Sequence, residues 1–533
     1  MIRTAIHLLV PWAILLQLFG TVHATVSSDY RYTYLNVLRK THLDHVDSHD
    51  KNDVEETFLN QRLDHFDRTN RATFEQRYFS TDRYVLENPS KNVNFLCVGG
   101  EGPGFDKSVL IDSVHCTGDM LELAQIMSKK HGVSVQVYAL EHRYYGKSYP
   151  SFSDSPVTIQ NLKYLSSRQA LEDLAHFVHH INDKQGRETR WVTFGGSYPG
   201  VLAAYARFKY PHMIFAGVSS SAPVKIVVDF PDYYHVVGKD LRYSKVGGSP
   251  SCYDIVKKGH EQATQLVDHE KFATDFMVCD ASKLKERRNQ EILLGDGLIN
   301  IPSQSNDPGC TDDLCNIRRL CDFMEEIHSA TNLTELDVLA TVASKQRRSD
   351  ECLEVDWNKT LVELSKPVVT GEGWRSWLWQ TCTEFGFYQT CEDEQCPYAS
   401  SYHRVDIDLE ICKVAFNVTD VYENIEASIN YYGGLDVNGG SRVLFINGDV
   451  DPWSALGLLN STDHELPAIV VPGASHHAWT HSKQATDSTE IQHARAMIYA
   501  TVTGWLTDER STEGKRVVGT VGSLRMNNVV SST

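Results

Sequence analysis

Apolar runs and amphipathic stretches alternate through the first 220 residues. Val93 to Val98 and Val133 to Leu140 are mostly apolar and too short for ordinary helices. The first stops at Gly99-Gly100, so both predict buried strands. Phe74 to Phe79 predicts another strand, in a β-rich stretch that begins at Thr57. Met120 to Lys130 and Ser166 to Ile181 have helical spacing. In the second, Leu171, Leu174, Phe177 and Val178 share one face, with Arg168, Glu172 and Asp173 elsewhere. Arg190 to Phe194 predicts a strand running into glycines, Leu202 to Lys209 a helix, and Ile214 to Ser219 a further strand. Strand–helix alternation with short connections predicts an α/β class, a mostly parallel sheet with helices on both faces.

The alternation stops near Pro231 and returns at Val443 to Ile446, at Ala468 to Val471 and in an amphipathic helix about Ile491 to Leu506. A tandem of two domains would not resume it so late. The expected organisation is one α/β domain in two parts, 57–230 and 431–510, interrupted by a mainly helical insertion, 231–430, with helical patches at Leu284 to Leu294 and Leu333 to Ser344. Arg3, the apolar run Leu8 to Phe19 and the small residues before Ala24 predict a signal peptide over 1–24. Residues 25–56 read as a polar arm and 511–533 as a flexible tail without a membrane-anchor pattern.

Composition narrows the picture. A chain of 533 residues with 41% hydrophobic and 23% charged residues has a globular composition. Its net charge of −18 argues against a nucleic-acid partner. A leader makes the compartment oxidising, so the even count of 12 cysteines predicts disulfides. Ten of them lie between Cys252 and Cys412, which marks the insertion as the crosslinked part. No Cys-x2-Cys pair is present, and neither a metal nor another cofactor is expected. Sequons at Asn332, Asn358, Asn417 and Asn460 predict glycosylation in the secretory pathway, extracellular or lysosomal. No later stretch is apolar enough to span a membrane.

The candidate chemistry centres on Phe194-Gly195-Gly196-Ser197-Tyr198-Pro199-Gly200, between a predicted strand and a predicted helix. A nucleophilic serine needs a tight strand-to-helix turn flanked by small residues, and the residue after it, Tyr198, supplies an oxyanion N–H. Pro199 stands where such turns usually carry glycine, but it suits the first turn of a helix. The N–H groups around Gly100, after an early strand, are candidates for the second oxyanion donor. An acid and a base must follow in the order Ser, Asp, His. Asp449 and Asp451 follow one late strand, and His476 and His477 the next, and spacing alone does not choose within either pair.

Five segments together carry a resemblance: Gly99-Gly100-Glu101-Gly102-Pro103, Glu141 to Ser148, Gly195 to Gly200, Asn447 to Trp453, and Gly473 to His476. In this order, across roughly 57 to 508, the chain resembles the serine peptidase family of lysosomal prolyl carboxypeptidase, dipeptidyl peptidase II and thymus-specific serine protease. Trp377 to Tyr388 and Ser220 to Val224 are most similar to the thymus-specific branch. The resemblance implies an α/β-hydrolase fold whose insertion, helical and disulfide-bearing, caps the active site. It implies catalytic Ser197, Asp451 and His476, with Asp449 a loop acid, His477 a neighbour and Trp453 packing beside the three. It also implies an exopeptidase acting on short peptides after proline or a small residue.

Beside that resemblance, Glu101 is a candidate to pair with a substrate amino terminus, and Trp379, Phe387 and Tyr388 to form an apolar slot. Arg143 reads as a structural charge under the sheet edge. The expected partners are short peptides, with a homodimer left open. Two other readings are a lipase or esterase on the same fold and a secreted hydrolase-like binding protein without catalysis.

Overall fold

The computed structural model describes residues 53–347, 352–434, 437 and 440–507. The expected leader, the arm before Asp53 and the tail from 511 lie outside the described residues.

The strands are β1 (Glu55–Arg62), β2 (Thr73–Tyr84), β3 (Lys91–Val98), β4 (Val133–Leu140), β5 (Arg190–Gly196), β6 (Ile214–Ser220), β7 (Val227–Asp229), β8 (Gly386–Tyr388), β9 (Val443–Gly448) and β10 (Ala468–Val471). Eight of them form one sheet in the order β1-β2-β4-β3-β5-β6-β9-β10. β1 and β2 pair antiparallel, β2 is antiparallel to β4, and every other pair in this sheet is parallel. β3 sits between β4 and β5 in parallel register, and Val93 to Val98 are all buried. An unbroken apolar run is what a strand covered on both faces requires. This is the α/β-hydrolase architecture.

The helices that place the site are α1 (Glu122–His131), α2 (Ser167–Gln185), α3 (Tyr198–Lys209), α4 (Arg287–Gly295), α5 (Trp374–Gln380), α6 (Val405–Phe416) and α7 (Thr489–Thr507). Alternate residues of the central strands feed two cores. Phe95, Cys97, Val192 and Phe194 pack with Leu123 and Met127 of α1 and Ile491 and Ile498 of α7. Leu96, Val98 and Trp191 pack with Leu171, Leu174 and Phe177 of α2 and Leu202 of α3. α2 starts at Ser166, whose side chain accepts from the Gln169 N–H, and ends at Gly186 in the left-handed region.

Two of the boundaries that differ from the sequence reading have a direct physical reason. α3 begins at Tyr198 rather than Leu202, because Pro199 fits the first turn and Gly200 lets α3 approach Ser220. β2 runs on to Tyr84, since pairing with β1 and β4 from either side outweighs its mixed polarity.

Between β6 and β9 the described chain is mostly helical. Cys252, Val256, Leu294, Leu320, Val338 and Val342 form a core of their own. Phe385, Phe387, Cys412, Phe416 and Ile425 instead join the core on the α2 and α3 face of the sheet. β7 and β8, a parallel pair, stitch this later part to the segment leaving β6. All twelve cysteines are paired, as Cys97–Cys116, Cys252–Cys321, Cys279–Cys352, Cys310–Cys315, Cys382–Cys412 and Cys391–Cys396. The bridges spanning 69 and 73 residues each restrict the unfolded chain by about 4 kcal/mol on the loop-closure estimate.

Candidate active site

Ser197 stands between β5 and α3 with φ 64° and ψ −134°. A non-glycine residue there is strained by roughly 1–3 kcal/mol, and neighbouring bonds hold it. Its N–H donates to Ser220 O at 2.9 Å, and its carbonyl accepts from the Val201 N–H at 3.1 Å. Gly196 must be glycine because a Cβ would lie 2.8 Å from the His477 ring. At Gly100 a Cβ would lie 2.3 Å from Pro199 Cγ, so the loop after β3 presses on the first turn of α3. That contact sets the backbone of Gly100 and Glu101 beside the N-terminus of α3, where Tyr198 N–H has no intrahelical acceptor.

The acid and the base come from the next two parallel strands. Asp451, fully buried, accepts from the Trp453 N–H through Oδ1 at 3.0 Å and faces His476 Nδ1 with Oδ2 at 2.8 Å. His476 is buried, and its Nε2 has no hydrogen-bond partner among the described residues. Asp449 is engaged elsewhere: its Oδ1 accepts from the Gly473 N–H at 2.6 Å and its Oδ2 from Tyr243 Oη at 3.3 Å. His477 donates its N–H to Ser221 Oγ. Gln304, from the long segment between β6 and β9, accepts from Trp453 Nε1 at 3.1 Å with its side chain and from the His476 N–H with its carbonyl.

Glu101 is half-buried as a residue, but its Oε2 is enclosed and unpartnered. Burial pushes its carboxyl up to about 7, against the opposing pull of its own N–H, of His476 and of the Ser197 side chain. The Tyr198 side chain locks the elbow from beneath. His142 donates through Nδ1 to the Arg143 carbonyl at 2.7 Å, which leaves Nε2 to accept from Tyr198 Oη at 3.0 Å. Burial holds His142 neutral, pushed down to about 4. Gln380 Nε2 donates to the same Tyr198 oxygen at 2.9 Å, and its Oε1 accepts from Tyr145 Oη at 2.8 Å. Glu384, pushed up to about 7 by burial, accepts from Ser167 N–H at 2.8 Å and Ser167 Oγ at 2.7 Å, capping α2.

One cavity contains Ser197, Glu101, Gln304 and Trp453 and is walled by Trp357, Trp374, Trp377, Phe387 and Tyr388. Of the three aromatics singled out in the sequence, Phe387 and Tyr388 line this cavity and Trp379 does not. α5 turns Trp374, Trp377 and Leu378 to the cavity at i, i+3 and i+4. Trp379 faces away, with Nε1 donating to Leu165 O and its ring against Phe416. That same spacing could have identified Trp374 and Trp377 from sequence. Nothing in the sequence signalled Gln304 or the side chain of His142. Asn332, Asn358, Asn417 and Asn460 are all exposed.

A family model described as serine carboxypeptidase S28 matches residues 61–498. The chain belongs to that family. It is similar to thymus-specific serine protease of Mus musculus, 33% identical over 86% of this chain and 88% of the relative. It is also similar to lysosomal Pro-X carboxypeptidase of Bos taurus, 25% identical over 85% of this chain and 88% of that protein. The solved structure of a proline iminopeptidase from Mycobacterium smegmatis aligns over 84% of this chain and 99% of its own, at 12% identity and a TM-score of 0.35. As a member of the S28 family the chain is a serine-type peptidase. Among the described residues no helix is long and apolar enough to cross a membrane.

Proposed function

We propose that the protein is a serine exopeptidase that cleaves short peptides after proline or a small residue, in the lysosome or outside the cell. The observation that carries the reading is the buried Asp451–His476 pair at 2.8 Å, with Nε2 unpartnered, at the strand ends beside the strained Ser197 elbow. Ser197 Oγ attacks the peptide carbonyl while His476 Nε2 takes its proton. Asp451 holds the Nδ1–H tautomer and stabilises the imidazolium. The Tyr198 N–H and the backbone N–H groups at Gly100 and Glu101 stabilise the oxyanion. His476 then gives its proton to the leaving amine, and water resolves the acyl-enzyme. The segment over the sheet, 231–430, acts as a cap that excludes folded proteins.

The test is turnover of proline-containing tripeptides, free or blocked at either end, alongside p-nitrophenyl acyl esters. Peptide cleavage that one terminal block abolishes is expected, and mass analysis of the products gives the direction. Activity confined to esters would overturn the peptidase reading in favour of a lipase or esterase.

Glu101 adds a pH dependence. A carboxylate beside the oxyanion opposes its charge, so the neutral acid is the productive form. With the carboxyl raised to about 7, that form is lost as pH rises through about 7. The kcat/KM profile is expected to fall above neutrality, and in Glu101→Gln that fall should vanish while activity at pH 5 persists. An unchanged alkaline limb would remove Glu101 from this role.

A further inference from the structure

One buried acid takes no part in the proposed chemistry. Asp240, the last residue of the helix Asp232–Asp240, is fully buried, and neither of its carboxyl oxygens has a hydrogen-bond partner among the described residues. The Ser303 hydroxyl, equally buried, is close enough to act on that carboxyl, yet it too makes no hydrogen bond. An ionised carboxylate without a donor is very costly to bury, so the folded chain holds Asp240 as the neutral acid. Its charged and titratable neighbours agree. Lys239 stands beside it on the same helix, Tyr243 on the turn that follows, and Asp449 and Asp451 on the loop after β9. Burial above all, with Asp449 and Asp451 adding to it, holds the carboxyl well above the usual range, against the pull of Ser303 and Lys239.

These groups sit where the segment between β6 and β9 meets the catalytic loop. Val237 and Leu241, near Asp240 on either side, share a core with Ile301 and with Val450, which separates Asp449 from Asp451. Lys239 Nζ donates to the Asp449 carbonyl at 3.3 Å. Gln304, next to Ser303, accepts from Tyr233 Oη of the same helix at 3.0 Å, as well as from Trp453 Nε1 and the His476 N–H. The Tyr233 ring meets that of Trp453 edge-on at 5.6 Å. Helix, Ser303–Gln304 and the loop 449–453 thus close on one another around an uncharged acid. A charge on Asp240 would be buried, unpartnered and beside Asp451, so its neutrality is a condition of that closure.

We propose that Asp240, in its neutral form, is a latch that fastens the segment carrying Ser303 and Gln304 to the loop carrying Asp451, and that the latch loosens as pH rises. When the segment opens, Asp240 meets water and ionises at the ordinary value of about 4. The closed form keeps its proton to a higher pH. Closure is therefore fully favoured below about 4, and the opening constant rises up to about tenfold per pH unit from there towards the raised value. The wall of the site beside His476 is held most firmly in acid, whichever bond is cleaved there.

The experiment is hydrogen–deuterium exchange of the full-length wild-type protein, disulfides intact, at whole pH units from 5 to 8, with each rate divided by the intrinsic rate at that pH. In peptides covering 303–306 and 449–454, protection is expected to fall about tenfold per pH unit, while peptides from β4 keep theirs. Asp240→Asn, uncharged and of nearly the same shape, should abolish the fall. Ser303→Ala should loosen both peptides but retain it, because the titrating group remains. Glu101→Gln should leave it unchanged, which separates the latch from the Glu101 limb of the rate profile. Wild-type protection that changes less than threefold across the range, an equal fall in β4, a fall that survives in Asp240→Asn, or one that Glu101→Gln removes would each overturn the inference. The wild-type slope decides the matter alone should the Asn variant fail to fold.

Discussion

Replacing Ser197 with alanine will lower kcat/KM on peptides by about 10⁶-fold, leaving only what binding and the oxyanion donors supply. The fold should not register the change. Ser197 is held in its left-handed conformation by backbone bonds to Ser220 and Val201, and neither uses the hydroxyl. Asp451→Asn should cost less, about 10⁴-fold, because an amide cannot hold the Nδ1–H tautomer that leaves Nε2 free to act. The two losses should not add, since the three side chains act as one unit. Steady-state kinetics on the best tripeptide, with thermal unfolding as the control, measure both. A Ser197→Ala loss below 100-fold, or a folded wild type whose Ser197 no fluorophosphonate labels, would refute the acyl-enzyme mechanism and revive the non-catalytic reading.

The parts of this molecule legible in the sequence are those whose signal is local. Val93 to Val98 can only be a strand buried on both sides, and Leu171, Leu174, Phe177 and Val178 can only share a helix face. Ser197, the late acids and the late histidines could be placed because parallel strands deliver their ends to one edge of a sheet. The choice between Asp449 and Asp451 was not local. It depends on a turn that gives the Gly473 N–H to Asp449 and His476 Nδ1 to Asp451. Trp379 was misread because a cluster of aromatics shows that a wall exists but not which way a short helix turns. The β7–β8 pairing joins residues about 160 positions apart, and Asp296 meets His403 across 107. No periodicity reports such contacts. The later part of the intervening segment also shares the sheet's core, and no change of composition marked where that sharing begins.

Arg143→Met should carry the largest stability loss of any single change at the Glu141 to Ser148 turn, about 3–5 kcal/mol. The guanidinium is fully buried and forks onto Asp173, Nε to Oδ2 and Nη2 to Oδ1, both at 2.7 Å. Nη1 also donates to the carbonyls of Leu63 and Tyr164, and Nη2 to that of Arg62. One side chain thus ties the end of β1, the loop before α2 and α2 itself to the turn after β4. Burial alone would raise the Asp173 carboxyl, but Arg143 overcomes it and holds the group below the usual carboxylate range. Methionine keeps most of the volume but leaves a buried carboxylate with His65 Nε2, at 2.8 Å, as its remaining partner. Asp173→Leu in the same chain should recover much of the loss, since the stranded charge costs more than the missing pair contributes. The pH dependence fixes the sign. A depressed carboxyl contributes stability above its unfolded value near 4 and loses it as pH falls through the folded value. The gap between wild type and Arg143→Met should therefore be widest near pH 6 and narrow as Asp173 becomes protonated in acid. Urea unfolding with disulfides intact, run at pH 6 and pH 4, measures it. A gap equal at both values would mean that the carbonyl contacts, not the ion pair, account for the loss. Because the Arg143 carbonyl also accepts from His142, which accepts from Tyr198, the same variant should lower kcat by loosening the elbow from below.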